Sequence, residues 1–293
     1  MVTDVASDPT IPWLPEGHTV VIPGRGELFY RFHRHPDPDA PTVLLLHGWT
    51  ASADLQFFTA YEALAARFSF VTIDHRGHGR GLRSSHRFEL EDVADDAAAL
   101  IEHLGLAPVI TVGYSMGGPI SMLMARRHPH LVRGIVVEAT ALEWCSSGWE
   151  RVKWRTVHLI GPMLRSLAYQ RLLAKGLRRL LGVDSPLLVY VPWLTGELRR
   201  NDPPSIVQAG QALSRYDARP WAGDLRKPAG ALITTRDRLV KPRKQRALAK
   251  VLRADIREIA ADHLCAWEQP NDFADTTVEL VELVAAVSSS VSS

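Results

Sequence analysis

The stretch that decides the fold is Val109-Ile110-Thr111-Val112-Gly113-Tyr114-Ser115-Met116-Gly117-Gly118. Four apolar or β-branched residues read as a strand covered on both faces, and the residues from Met116 to His128 read as a helix. Between them Ser115 sits on a very tight turn, with glycines two residues to either side relieving the crowding and the hydroxyl projecting from the sheet edge. A helix that starts directly after the serine supplies partial positive charge where an anion could form. Ser115 is therefore the candidate nucleophile.

Working outward, strand-like runs recur at Thr42–Leu46, Phe68–Ile73, Gly134–Val137, Ala229–Thr234 and Asp255–Ile259. Helical spacing lies between them at Ala53–Phe68, Leu90–Leu104, Arg243–Leu252 and Asp272–Val287, and residues 18–32 read as a hairpin turning on Pro23-Gly24-Arg25-Gly26. Alternation of this kind implies an α/β fold, with a mostly parallel sheet covered by helices on both faces. The serines after Val287 read as a disordered tail.

The rhythm breaks at about 141–221, where five tryptophans (144, 149, 154, 193 and 221) and many leucines replace it. This predicts an inserted helical cap at 141–221 on a core made of 1–140 and 222–293. Between Ala141 and Pro220 there are twelve Lys/Arg against six Asp/Glu, in a chain whose net charge is only +2. A near-balanced total gives no field for nucleic acid, so nucleic acid is not expected as a partner. The local excess falls on Met163–Leu181, whose leucines interleave with Arg165, Arg171, Lys175, Arg178 and Arg179, a basic amphipathic pattern that suits contact with an anionic lipid surface or plain packing over a pocket.

A serine needs a histidine to take its proton and an acid to orient that histidine. Asp237 and His263 follow the Ala229–Thr234 and Asp255–Ile259 runs, at strand C-terminal ends where an open α/β sheet gathers its site. Glu138, after the Gly134–Val137 run, is the rival acid. Asp262 adjoins His263 and should point away from it. His47-Gly48-Trp49 ends another strand, so the amides of Trp49 and Met116 are the expected oxyanion hole, with His47 a structural hydrogen bonder. Asp74 is expected to hold its loop, and His75 and His78 beside it lack metal-site spacing, so neither metal nor cofactor is expected. Tyr114, Trp144, Trp149, Trp154 and Trp193 are the candidate walls of a hydrophobic pocket.

These residues together resemble the α/β-hydrolase superfamily, in the branch that carries a helical cap. The resemblance spans most of the chain outside the cap, through His47-Gly48-Trp49, the loop 74–79, Gly113–Gly118, Asp237 and His263. It implies an eight-stranded, mostly parallel sheet and a Ser115–Asp237–His263 triad. Ser115 stands where epoxide hydrolases and haloalkane dehalogenases carry an aspartate, and the His-Gly-Gly-Pro-Gly signature of proline iminopeptidases is missing at 47–51. Gly-Tyr-Ser-Met-Gly-Gly is similar to bacterial carboxylesterases and monoacylglycerol lipases, which implies ester cleavage on hydrophobic acyl or aromatic substrates. C–C, thioester and lactone hydrolysis by the same triad, and non-catalytic binding of a hydrophobic ligand, are the alternatives.

Two cysteines, Cys145 and Cys265, are too few for a disulfide framework, and Met1–Gly17 has no apolar run of the signal-peptide kind. A cytoplasmic protein, soluble or peripheral to a membrane, is the expectation. The sequence says nothing of oligomeric state.

Overall fold

The computed structural model describes residues 9–157 and 167–290. The first four residues of the basic amphipathic stretch expected over Met163–Leu181 and the end of the serine tail, 291–293, lie outside the described residues.

Eight strands form one sheet in the order β1-β2-β4-β3-β5-β6-β7-β8. They are β1 (Glu16–Ile22), β2 (Gly26–His33), β3 (Thr42–Leu46), β4 (Ser69–Ile73), β5 (Val109–Tyr114), β6 (Val132–Glu138), β7 (Ala229–Thr234) and β8 (Asp255–Ile259). From β4 to β8 all pairs are parallel, whereas β1 and β2 add an antiparallel edge. The difference follows from side-chain pattern. Every residue of β4, β5 and β7 is buried, as strands between two helical layers must be, and β1 mixes exposed and half-buried positions as an edge strand does.

The hairpin, the sheet and the helix Leu90–Leu104, stopped by Gly105 in the left-handed region, match the expectations. Two expectations need correction. The single helix expected over Ala53–Phe68 is two short ones, Ala53–Phe57 and Tyr61–Ala65. The Ala60 amide turns back to the Phe57 carbonyl there, and the Thr59 hydroxyl leaves the helix surface to donate to Ala266. The supposed disordered serines instead extend the last helix, Pro270–Ser290. Ser288 is held by Arg133 and by the Ala285 carbonyl, so its hydroxyl is satisfied within the fold.

Between β6 and β7 the described residues form the helices Gly148–Arg155, Leu167–Leu181, Val191–Leu198 and Pro203–Arg215. This segment enters and leaves side by side, with Glu143 bridged to Asp217 and the Ala218 amide on the Leu142 carbonyl. Its later half is clasped to the loops of the sheet by polar bonds. Arg80 grips Glu197 through both guanidinium branches, Asn201 donates to Thr50 and accepts from Gly79, and the Trp49 indole donates to Ile206. The helix Leu167–Leu181 instead packs through apolar residues, Leu177 fully buried and Leu173 and Leu181 partly so.

Candidate active site

β5 delivers Ser115 at φ 51°, a left-handed conformation that costs a non-glycine residue on the order of 1–3 kcal/mol. The surroundings hold it there. The Ser115 amide donates to the Glu138 carbonyl at 2.8 Å, and its own carbonyl accepts from Gly118 and from the Thr140 hydroxyl. The flanking glycines are required by space: a Cβ on Gly113 would strike the Gly117 carbonyl, and one on Gly117 would strike the Leu46 carbonyl.

β7 and β8 run parallel, and their C-terminal loops stay side by side, with Thr235 and Arg236 donating to Ile259 and Ala261. That brings Asp237 to His263. Asp237 Oδ2 lies 2.7 Å from His263 Nδ1, and His263 Nε2 lies 3.0 Å from Ser115 Oγ. An unbroken hydrogen-bonded chain thus links the three residues. Asp237 is also surrounded by donors: the Leu239 and Val240 amides on one oxygen, Thr234 Oγ1 and Gln245 Nε2 on the other. β5 and β8 are three places apart in the sheet, and Tyr114 spans the gap by donating its hydroxyl to the His263 carbonyl at 2.7 Å.

The Trp49 and Met116 amides make no hydrogen bond among the described residues. Their segments leave the sheet side by side because β3 and β5 pair Leu46 with Gly113. Gly48 sits so close that a Cβ there would lie 3.3 Å from Ser115 Cβ. His47 is buried with one ring nitrogen on the Gly48 carbonyl and the other accepting from the His75 amide. Burial pushes its pKa well below the ordinary histidine value, so it remains neutral and able to do both.

Asp74 accepts from the Ala53 and Arg80 amides and so ties its loop to the helix Ala53–Phe57. Burial, with Asp54 adding repulsion, raises its pKa to about 7. His75 stacks on His47 and His78 lies tilted against it in the same buried cluster. Asp262 turns away from the His263 ring and pairs with Arg238. Glu138 is fully buried, with Oε1 accepting from Thr277 and Oε2 unpartnered, and burial pushes its pKa up to about 8.

A cavity of about 210 Å³ opens on Ser115 and His263. Its walls are Trp49, Leu55, Tyr114, Leu177, Leu198 and Trp267, with Gln56 a polar member. Of the expected wall residues whose side chains are described, only Tyr114 is among them. Trp144 and Trp154 line a separate recess with Glu143 and Lys244, Trp154 donating its indole to the Trp144 carbonyl. Trp193 packs edge-on against Phe58, 5.3 Å between centroids, and the side chain of Trp149 lies outside the described residues. The tryptophans were expected in the pocket because they cluster between β6 and β7, but the indoles of Trp144, Trp154 and Trp193 pack elsewhere, and that segment gives the wall Leu177, Leu180 and Leu198 instead. Trp267 and Gln245 carried no sequence signal. Thr234 did, three residues before Asp237 at the strand end.

A model of the alpha/beta hydrolase fold matches residues 41–156. The pimeloyl-[acyl-carrier protein] methyl ester esterase of Chromobacterium violaceum is 31% identical over 216 residues, which cover 72% of this chain and 82% of that one. The 2-(acetamidomethylene)succinate hydrolase of Mesorhizobium japonicum is 36% identical over 96 residues, so the chain matches only about a third (34%) of that relative's length. An enol-lactonase from Burkholderia xenovorans LB400 superposes with a TM-score of 0.76 at 22% identity, covering 90% of this chain and 100% of the other, which shows the shared fold. With the sheet order, the tight turn at Ser115 and a relative matched along most of its length, the chain belongs to the α/β-hydrolase family of enzymes.

Proposed function

We propose that the chain is a serine hydrolase that cleaves carboxylic esters of hydrophobic acyl or aromatic substrates through an acyl-enzyme. The observation that carries this reading is the chain from Asp237 through His263 to Ser115, at 2.7 and 3.0 Å, opening on an apolar cavity. His263 Nε2 takes the Ser115 proton as Oγ attacks the ester carbonyl. The Trp49 and Met116 amides receive the developing oxyanion, helped by the N-terminus of the helix Gly117–Arg127. His263 returns the proton to the leaving alcohol, and water, activated the same way, releases the acid. Asp237 keeps the imidazole in the tautomer this requires.

Hydrolysis of p-nitrophenyl esters of rising acyl length is the test. Wild type should turn them over, and Ser115→Ala should lose about 10⁶-fold in kcat. Equal rates for the two proteins would sink the proposal. A wild type that is inert to esters yet labelled at Ser115 by a fluorophosphonate would retain the triad and reject the ester assignment.

The outer face of the helix Leu167–Leu181 supports a further part of this reading, contact with an anionic lipid surface. Leu172 is 63% exposed beside exposed Lys175, Arg178 and Arg179, and Val183 just beyond is 88% exposed. Flotation with anionic vesicles, lost on neutral ones and at high salt, is the expected result.

A further inference from the structure

A second, open groove of about 430 Å³ adjoins the cavity on the His263 side. Leu180, His263 and Leu264 belong to both hollows, whereas Ser115 lines only the first. The groove adds Leu239, Arg238, Asp262 and Glu268. Three leucines from three separate elements therefore meet at its rim: Leu180 from the helix Leu167–Leu181, Leu239 from the loop after β7, and Leu264 from the loop after β8. All three remain substantially exposed, at 38%, 44% and 43%. Large apolar side chains left in water at one place next to a reactive histidine form a surface that gains by being covered.

The polar groups of the groove are engaged with one another. Arg238 is paired with Asp262, whose carboxylate also accepts from the Arg238 and His263 amides, and Glu268 accepts from the Asp262 amide. Their charges are partly cancelled and several of their bonds are already made, so what the rim offers a ligand is apolar contact.

We propose that this groove is a subsite for an apolar alcohol leaving group, an inference that rests on the serine-hydrolase reading. Once Ser115 Oγ has bonded to the carbonyl carbon, the oxyanion faces the Trp49 and Met116 amides. The bond to break is the one from carbon to the alkoxy oxygen, and that oxygen must face His263 Nε2 to receive the proton taken from Ser115. The rest of the alcohol then extends past His263. The groove lies there, and the alcohol departs along Leu180, Leu239 and Leu264 while the acyl group stays in the smaller cavity on Ser115. Selectivity should therefore rest on the alcohol as well as on the acid.

The experiment compares kcat/KM for methyl and octyl acetate, with active sites titrated by a fluorophosphonate, in wild type, Leu239→Asp, Leu239→Ala and Val21→Asp. Val21 is 67% exposed on the far edge strand and serves as a control for surface charge. The octyl-to-methyl ratio should exceed one in wild type, drop about tenfold in Leu239→Asp, drop less in Leu239→Ala, and stay unchanged in Val21→Asp. Labelled enzyme whose ratio is the same in both Leu239 variants as in wild type would overturn the groove and leave the triad standing. No labelling in wild type would overturn the serine reading and the groove with it.

Discussion

Two buried carboxylates lie at the C-terminal ends of neighbouring strands of the same sheet, Glu138 as the last residue of β6 and Asp237 in the loop just after β7, and their environments diverge. Asp237 receives two backbone amides, a threonine hydroxyl, a glutamine amide and the His263 ring. Glu138 receives one hydroxyl, from Thr277, and its other oxygen has no hydrogen-bond partner among the described residues. Burial alone favours the neutral acid, and a carboxylate in a protein interior works as an anion only where donors replace the lost water. On the serine-hydrolase reading, position at a strand end is thus insufficient to make an acid catalytic, and the donors around it decide.

The sharpest way to break this comparison is to neutralise each acid without changing its shape. Asp237→Asn should lose about 10⁴-fold in kcat, because the amide holds the imidazole in the wrong tautomer. Glu138→Gln should stay within about threefold of wild type, since it imitates the protonated acid that burial already favours. A large loss in Glu138→Gln with Asp237→Asn near wild type, measured on one ester at pH 7.5 with circular dichroism as the fold control, would reverse the assignment, and comparable losses in the two would break the contrast between them.

Much of this contrast was legible in the sequence, and the part that was not has a physical reason. Strands β3 to β7 declare themselves through apolar runs, and the serine turn through its glycines, because both depend on local backbone and burial. The order of acid after β7 and base after β8 is readable for the same reason. What surrounds the acid is not local. Gln245 reaches Asp237 from the next helix, and Thr277 reaches Glu138 from a helix 139 residues further along the chain. The pocket wall fails likewise: Trp267 lies beyond His263 in sequence and meets Leu55 across the fold, whereas Trp144 and Trp154 pack against each other and Trp193 packs against Phe58. Side-chain partners chosen by tertiary contact leave no periodic trace.

A milder change sharpens the comparison from the donor side. Gln245 Nε2 donates to Asp237, and also to Thr234 Oγ1 and the Val240 carbonyl. Gln245→Leu keeps the volume and removes the donor, so the Asp237 carboxylate loses one of its partners while the two loop amides remain. We expect about a tenfold fall in kcat with little change in KM, and a stability loss of about 1–3 kcal/mol for the unsatisfied buried groups left behind. A KM effect with kcat intact would place Gln245 in substrate binding and weaken the view that donors define the acid.

The smallest effect concerns Glu138 and stability alone. Its pKa is about 8 in the folded chain against an ordinary 4.5. Below about 4.5 both folded and unfolded chains hold the proton, and between 4.5 and 8 only the folded chain does. Unfolding therefore releases a proton across that window, and this group's contribution to stability is lost as pH rises. Glu138→Gln cannot release one, so its Tm relative to wild type should climb steadily from pH 5 to pH 8.5. The difference between the two proteins isolates this residue, because both retain His75 and His78, whose values of about 3 and 4 make their own contribution fall away in acid. Parallel melting curves across the range would show that Glu138 is ionised in the fold after all, with a cation or water supplying the donors that Asp237 obtains from its own loop.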